Sequence, residues 1–132
     1  MPTIWRNIVL DGIRYNYDIS NTGKVRNAKG HILKPWKRGQ RKGIYLCVAL
    51  CRKGQKKKID IQRLVAIHFL PNPKNKPEVN HFDLNHFNNK VSNLEWVTRS
   101  ENMQHLYFMK GTEQIEKIYR KSGEIKCLQM ED

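Results

Sequence analysis

Acidic residues are scarce in this sequence. Asp and Glu number 12 against 25 Lys and Arg, a formal net charge of +13, which argues against a partner that is itself cationic. Cysteine is scarce too. Cys47, Cys51 and Cys127 form an odd set with no CxxC pair, so neither a disulfide framework nor a four-cysteine zinc site is expected. Cys47 and Cys51, four apart in an apolar run, would share a strand face as small buried hydrophobes in a reducing compartment. No apolar run approaches the ~20 residues of a membrane helix. The opening Met1-Pro2-Thr3-Ile4-Trp5-Arg6 lacks the basic-then-apolar layout of a secretory signal. There is no internal repeat, and the only low-complexity run is Lys56-Lys57-Lys58. With a mean hydropathy of −0.74, the expectation is a soluble cytoplasmic chain.

The positive charge is concentrated. Between Lys24 and Arg63 stand fourteen Lys or Arg and a single acid, Asp60. Such a field attracts polyanions, which release counterions when they bind. Clustering together with a pI near 9.9 points to nucleic acid over a merely solubilising charge. An anionic membrane is the weaker alternative, because its usual device is a basic amphipathic helix and this stretch has the pattern of strands.

The first half is read as β structure. Tyr15-Asn16-Tyr17-Asp18-Ile19 alternates, and Ser20-Asn21-Thr22-Gly23 supplies a turn before Lys24-Val25-Arg26. His31-Ile32-Leu33-Lys34 is a short strand candidate stopped by Pro35, and Ile44–Leu50 is the strongest strand. A hairpin loop at Arg52-Lys53-Gly54-Gln55 leads into Lys57–Ile61; connections this short imply antiparallel pairing. From Gln62 to Leu70 the period changes to that of a short buried helix, ended by Pro71-Asn72-Pro73. Val79-Asn80-His81 and Leu94–Val97 are strand candidates on either side of a loop rich in Asn. Thr98 or Ser100 then caps a helix running towards Gly111. Residues 115–128 suit a hairpin or a continued helix equally. The resulting organisation is a β-rich basic region over 1–70, a second unit over 71–111 and a tail over 112–132.

The segment from Val79 to His105 carries the chemistry. A strand, an Asn-rich loop, a second strand and a capped helix bring Asn80-His81, Asn93 and Asn102 together. With Val79-Asn80-His81, Asn88-Asn89, Asn93-Leu94-Glu95-Trp96-Val97-Thr98 and Ser100-Glu101-Asn102 in place, the chain resembles the HNH, or ββα-metal, endonucleases of phage introns and free-standing phage genes. The resemblance implies an α+β fold, a small antiparallel sheet followed by the ββα-metal motif, in an infected or bacterial host cell. It also implies hydrolysis of DNA phosphodiester bonds to 5′-phosphate and 3′-hydroxyl ends. His81 is then the general base, since imidazole has its ordinary pKa near ~6.5. Asn93 would hold the loop so that His81 presents the correct nitrogen. Asn80 and Asn102 would hold one divalent metal ion, Mg²⁺ or Mn²⁺ in preference to zinc because the ligands are oxygens. Related nucleases often have Asp or His at the first position and His on the helix; two neutral amides predict weak binding unless DNA phosphate completes the shell.

Other polar residues have plainer readings. Asp83 fits an Asx turn better than a ligand, His86 a loop or DNA contact, and His68 packing against the helix. His105, three after Asn102, is the weaker ligand candidate. Trp96 fits a core position, and Trp36 a cover over the sheet. The half before Arg63 resembles the module that precedes HNH domains in phage proteins, through Trp5, the run Tyr17–Arg26, Leu33-Lys34-Pro35 and Arg63–Ala66. That module lies along DNA, and the residues available for phosphate are Arg26, Lys34, Lys37, Arg38, Arg41, Lys42, Lys56, Lys57, Lys58 and Arg63, with Arg99 at the helix start. The implied partner is double-stranded DNA; a monomer suits nicking and a homodimer suits cutting both strands. Asn80→Asp should raise the metal affinity of the DNA-free protein by calorimetry, and an unchanged affinity would remove Asn80 from the metal shell.

Overall fold

The computed structural model of the chain describes residues 2–40 and 43–108. Arg41, Lys42, Cys127, the end of the last helix and the 112–132 tail lie outside them. Among the described residues, two three-stranded antiparallel sheets and one two-stranded ribbon pack around one short helix, and a second helix follows the ribbon. The first sheet has the order β1 (Trp5–Leu10), β2 (Ile13–Ser20), β3 (Val25–Asn27). The second runs β4 (Trp36–Gln40), β5 (Gly43–Arg52), β6 (Gln55–Asp60). Helix α1 (Ile61–Phe69) follows β6 directly. After the proline loop, β7 (Glu78–His81) pairs with β8 (Leu94–Val97), and residues 99–108 are helical (α2).

The alternation expected around Tyr15–Ile19 is present: Tyr15 and Ile19 are buried while Asn16 is exposed. The strands at Ile44–Leu50 and Lys57–Ile61 and the helix at Gln62–Leu70 also form, to within a residue or two at most ends. Two strands were not anticipated, β1 and β4. β1 closes on β2 through Asp11 and Gly12, both at positive φ, the left-handed pair that a two-residue hairpin needs. Lys24-Val25-Arg26 becomes β3, whereas His31–Lys34 contributes only an isolated bridge from Ile32 to Arg26. The basic region is thus two small sheets instead of one. Cys47 is fully buried as expected, but Cys51 is exposed, because β5 runs past the core before its tip.

The core unites these parts. Ile8, Ile19, Val25, Val48 and Leu50 of the sheets meet Ile61, Leu64 and Val65 of α1 and Leu94 of β8. Helix α1 touches β1, β2, β5, β6, β7 and β8, so its apolar face is covered from several sides. Its exposed edge makes polar ties. His68 Nδ1 donates to Leu64 O at 2.8 Å and His68 Nε2 accepts from the Val9 amide at 2.9 Å; His68 is therefore a bridge between helix and sheet, where simple packing was expected. No helix among the described residues is long and apolar enough to cross a membrane. Leu64→Ala, at a fully buried position, should lower stability by about 2–5 kcal/mol in urea unfolding.

Candidate active site

The β7–β8 ribbon and α2 build the site. In the ribbon, Asn80 lies opposite Glu95 and His81 opposite Leu94. Alternation places Glu78 and Asn80 on one face and Val79 and His81 on the other. Helix α2 starts with a capping box: the Glu101 amide donates to Thr98 Oγ1 at 3.1 Å and the Thr98 amide donates to Glu101 Oε1 at 2.9 Å. Those bonds, with Lys76 Nζ beside the carboxylate, hold Glu101 down to about 2. Of the two caps expected, Thr98 is the one used. The cap fixes the start of α2 and hence where Asn102 faces β7.

Asn80, His81, Arg99 and Asn102 line one cleft of about 250 Å³, with Tyr45, Glu78, Val79, Leu84, His86, Met103 and Leu106. Asn80 and His81 are buried, each 3% exposed. Asn80 Nδ2 donates to Glu95 Oε1 at 3.1 Å, and Asn102 Nδ2 donates to Glu78 Oε1 at 3.1 Å. Each amide group is therefore spent on a carboxylate, and each Oδ1 remains as an acceptor. An oxygen donor pair of this kind fits a hard divalent cation.

His81 Nε2 lies 2.8 Å from Asn89 Oδ1. A carbonyl oxygen only accepts, so Nε2 carries the proton and Nδ1 keeps its lone pair. Burial pushes the His81 pKa below its ordinary value; the Asn89 bond works the other way, and neighbouring His86 adds to the depression. The neutral, proton-accepting form is favoured at neutral pH.

Asn93 does not make the bond to the ring. Its Oδ1 accepts from the Asp83 amide at 3.1 Å, and its Nδ2 donates to Asp83 Oδ1 and Asn88 O, both at 2.9 Å. It ties the loop after His81 to the loop's far end, and the residue that meets the imidazole is Asn89. Asp83 forms the expected Asx turn, accepting from the Asn85 amide at 2.8 Å. Donation from the Asn88 side chain is the main cause of its lowered pKa. Within the same loop, Leu84 is held at φ 61, a left-handed conformation costly for a branched side chain. His105 Nε2 bonds Phe82 O at 2.9 Å and does not line the cleft. Trp96 is half-buried, donating from Nε1 to Leu70 O with Arg63 over its ring, and Trp36 is exposed on β4.

The first half of the chain completes this site from two sides. Gly23, in the turn between β2 and β3, sits against Asn89: a Cβ there would be 2.9 Å from Asn89 Cβ. The Val91 amide also donates to Asn21 O at 2.8 Å. On the other side, His86 stacks on Tyr45 with centroids 4.3 Å apart, 5.3 Å from the His81 ring. A Cβ on Gly43 would be 2.8 Å from His86 Cε1. Tyr45, Glu78, Glu95 and the ring-facing role of Asn89 escaped the sequence reading. Asn89 and Glu95 stood inside the quoted motif stretches without a role, and Glu78 lies two residues before Asn80 on the same strand.

Of the basic residues singled out, Lys34, Lys37, Lys56, Lys57, Lys58, Arg63 and Arg99 are exposed. Lys37 lies over the Phe87 ring, and Arg63 donates to Pro77 O. Arg26 is engaged with Asp18 at 3.0 Å and stacked over Trp5, while Arg38 bonds Asp60 at 3.0 Å.

Residues 61–104 match the family model of the HNH endonuclease, and residues 4–51 match the NUMOD4 motif. Two Acanthamoeba polyphaga mimivirus proteins, named Uncharacterized HNH endonuclease L245 and L247, are similar. L245 is 43% identical over 122 residues, covering 92% of this chain and 34% of that protein. L247 is 42% identical over 105 residues, covering 77% and 25%. DNA endonuclease I-HmuI of Bacillus phage SP01 is 34% identical over 113 residues, covering 86% of this chain and 62% of its own length. A solved structure described as "DNA binding and cleavage by the HNH homing endonuclease I-HmuI" matches with a TM-score of 0.66 and 32% identity, covering 89% of this chain and 66% of that one. The chain thus spans about a third, a quarter and 62% of the lengths of these three curated relatives.

The tautomer of His81 tests the site's geometry directly. Nitrogen NMR of the imidazole should show the Nε2–H form in the wild type. Asn89→Ala, and Gly23→Ala by displacing Asn89, should weaken that preference by about 1 kcal/mol, roughly a fivefold change in tautomer ratio.

Proposed function

This chain belongs to the HNH endonuclease family, and from that premise we propose that it is a divalent-metal-dependent DNA endonuclease with His81 as general base. The observation that carries the proposal is the union of Asn80, His81, Arg99 and Asn102 in one cleft, with the Nε2 side of His81 already committed to Asn89. HNH endonucleases generally depend on a divalent metal. Here Asn80 and Asn102 would hold it, as Mg²⁺ or Mn²⁺. Bound there, the cation supplies positive charge for the scissile phosphate and the departing 3′ oxygen.

The remaining roles belong to the chain itself. His81 takes the proton of the attacking water at Nδ1, and its depressed pKa keeps it ready to do so. Asn89 orients the ring, and Asn93 fixes the loop that carries both. Arg99, exposed at the start of α2 and on the wall of the cleft, meets phosphate oxygens. The duplex lies along the basic sheets, contacted by Lys34, Lys37, Lys56, Lys57, Lys58 and Arg63, with Arg41 and Lys42 adding to the field. Arg26 and Arg38, already paired with Asp18 and Asp60, contribute field more than direct contacts. The unit over 1–70 serves binding and the unit over 71–111 serves cleavage, leaving 5′-phosphate and 3′-hydroxyl ends.

A second reading has one observation in its favour: both metal positions are neutral amides, so a chain that binds duplex DNA without cutting is conceivable. Supercoiled plasmid separates the two. Wild type with Mg²⁺ or Mn²⁺ should nick or linearise it, EDTA should stop the reaction, and His81→Ala should lower the rate by at least about a hundredfold. Salt-sensitive binding with no cutting under any metal would sink the endonuclease and leave the binding module.

A further inference from the structure

The two asparagines assigned to the cation share a feature that their own identity does not explain. Each is held at its amide nitrogen by a glutamate: Asn80 by Glu95 directly across the ribbon, and Asn102, on a different element, by Glu78 of β7. Glu78 lies two residues before Asn80 on the same strand face, so Glu78, Asn80 and Glu95 form one polar patch that α2 covers with Asn102. An asparagine side chain has a donating end and an accepting end, and only the oxygen end can serve a cation. A carboxylate against the NH₂ group decides which end is presented, because the reversed amide would set oxygen against oxygen. The bond is charge-assisted and stronger than a neutral one. The same carboxylates place two negative charges one side chain behind two neutral ligands, which would otherwise hold a hard cation weakly.

We propose that Glu78 and Glu95 are positioning residues for the metal: they turn the Asn102 and Asn80 oxygens outward and supply the charge that the amides lack. This rests on the metal-dependent reading of the cleft. At Asn80 the like-sized Asp would face Glu95 across the strands; without a cation two carboxylates so placed repel, which gives the neutral residue a reason to be there.

The test is Mn²⁺ binding to the intact chain, by calorimetry and by electron paramagnetic resonance, alone and with an uncleavable phosphorothioate duplex. Glu78→Gln and Glu95→Gln keep size and remove charge. Each should weaken Mn²⁺ binding about tenfold, as loss of a residue that orients a metal ligand does, with unchanged thermal unfolding in EDTA and unchanged duplex affinity without metal. Adding Asn102→Asp to Glu78→Gln returns a charge to the site and should recover most of the lost affinity, which a purely structural role for Glu78 would not produce. If one variant fails to fold, the other gives the same reading. Wild-type affinity in both folded variants would overturn the proposal while leaving the endonuclease intact. A wild type that neither binds Mn²⁺ nor cleaves DNA would overturn both.

Discussion

Everything in this fold leans on nine residues of helix. An isolated two-stranded ribbon is marginal in water, and a three-stranded sheet needs an apolar face that something covers; here there are one of the former and two of the latter. Helix α1 offers each of them an apolar surface: Leu64 and Val65, both fully buried, belong to one cluster with residues of the first sheet, the second sheet and the ribbon. Its polar margin repeats the pattern, with His68 bonded to the β1 amide of Val9 and Arg63 bonded to Pro77 just before β7. The ribbon that carries Asn80 and His81 is therefore positioned by the same element that organises the basic sheets. The orientation of the cleft relative to the basic surface is a property of the core.

Much of this was legible in the sequence, and the failures have physical causes. The β5–β6 hairpin, α1, the ribbon strands and the cap of α2 are each local features, written in alternation, helical period, a Lys-Gly tip or a Thr-x-x-Glu box. β1 was missed because Trp5-Arg6-Asn7-Ile8-Val9-Leu10 does not alternate strictly; a register shift between Asn7 and Val9 breaks it. β4 was missed because Trp36-Lys37-Arg38-Gly39-Gln40 is exposed along most of its length, so burial left no imprint on its composition. At the site, the motif gave Asn80, His81 and Asn102 as cleft residues, whereas Asn89 and Glu78 act through contacts 8 and 24 residues away in sequence. Spacing within a motif does not report such partners. Tyr45 and His86 meet only when the second sheet docks on the loop.

The cleft and the basic sheets carry different kinds of charge. Lysines on β6 stand fully in solvent, where their field is long-ranged but screened by salt. The acids near the cleft are spent on amides and ring neighbours: burial, Asp60 and Glu78 push the Tyr45 pKa upward together. A net charge of +13 draws a polyanion to the molecule as a whole, while the charges at the cleft, Glu78 and Arg99, belong to individual side chains.

The two glycines that face the loop bear on how such proteins come to be assembled. Gly23 leaves room for Asn89 and Gly43 leaves room for His86, so the boundary between the two halves is fitted atom against atom instead of being joined by a neutral tether. The segment that carries Asn89 and His86 cannot be treated as a cassette to be spliced behind any basic module. A foreign module would have to arrive with a residue lacking a side chain at both places of contact, or the loop that follows His81 would move. The fit at Gly23 and Gly43 thus ties the two halves to each other at specific positions.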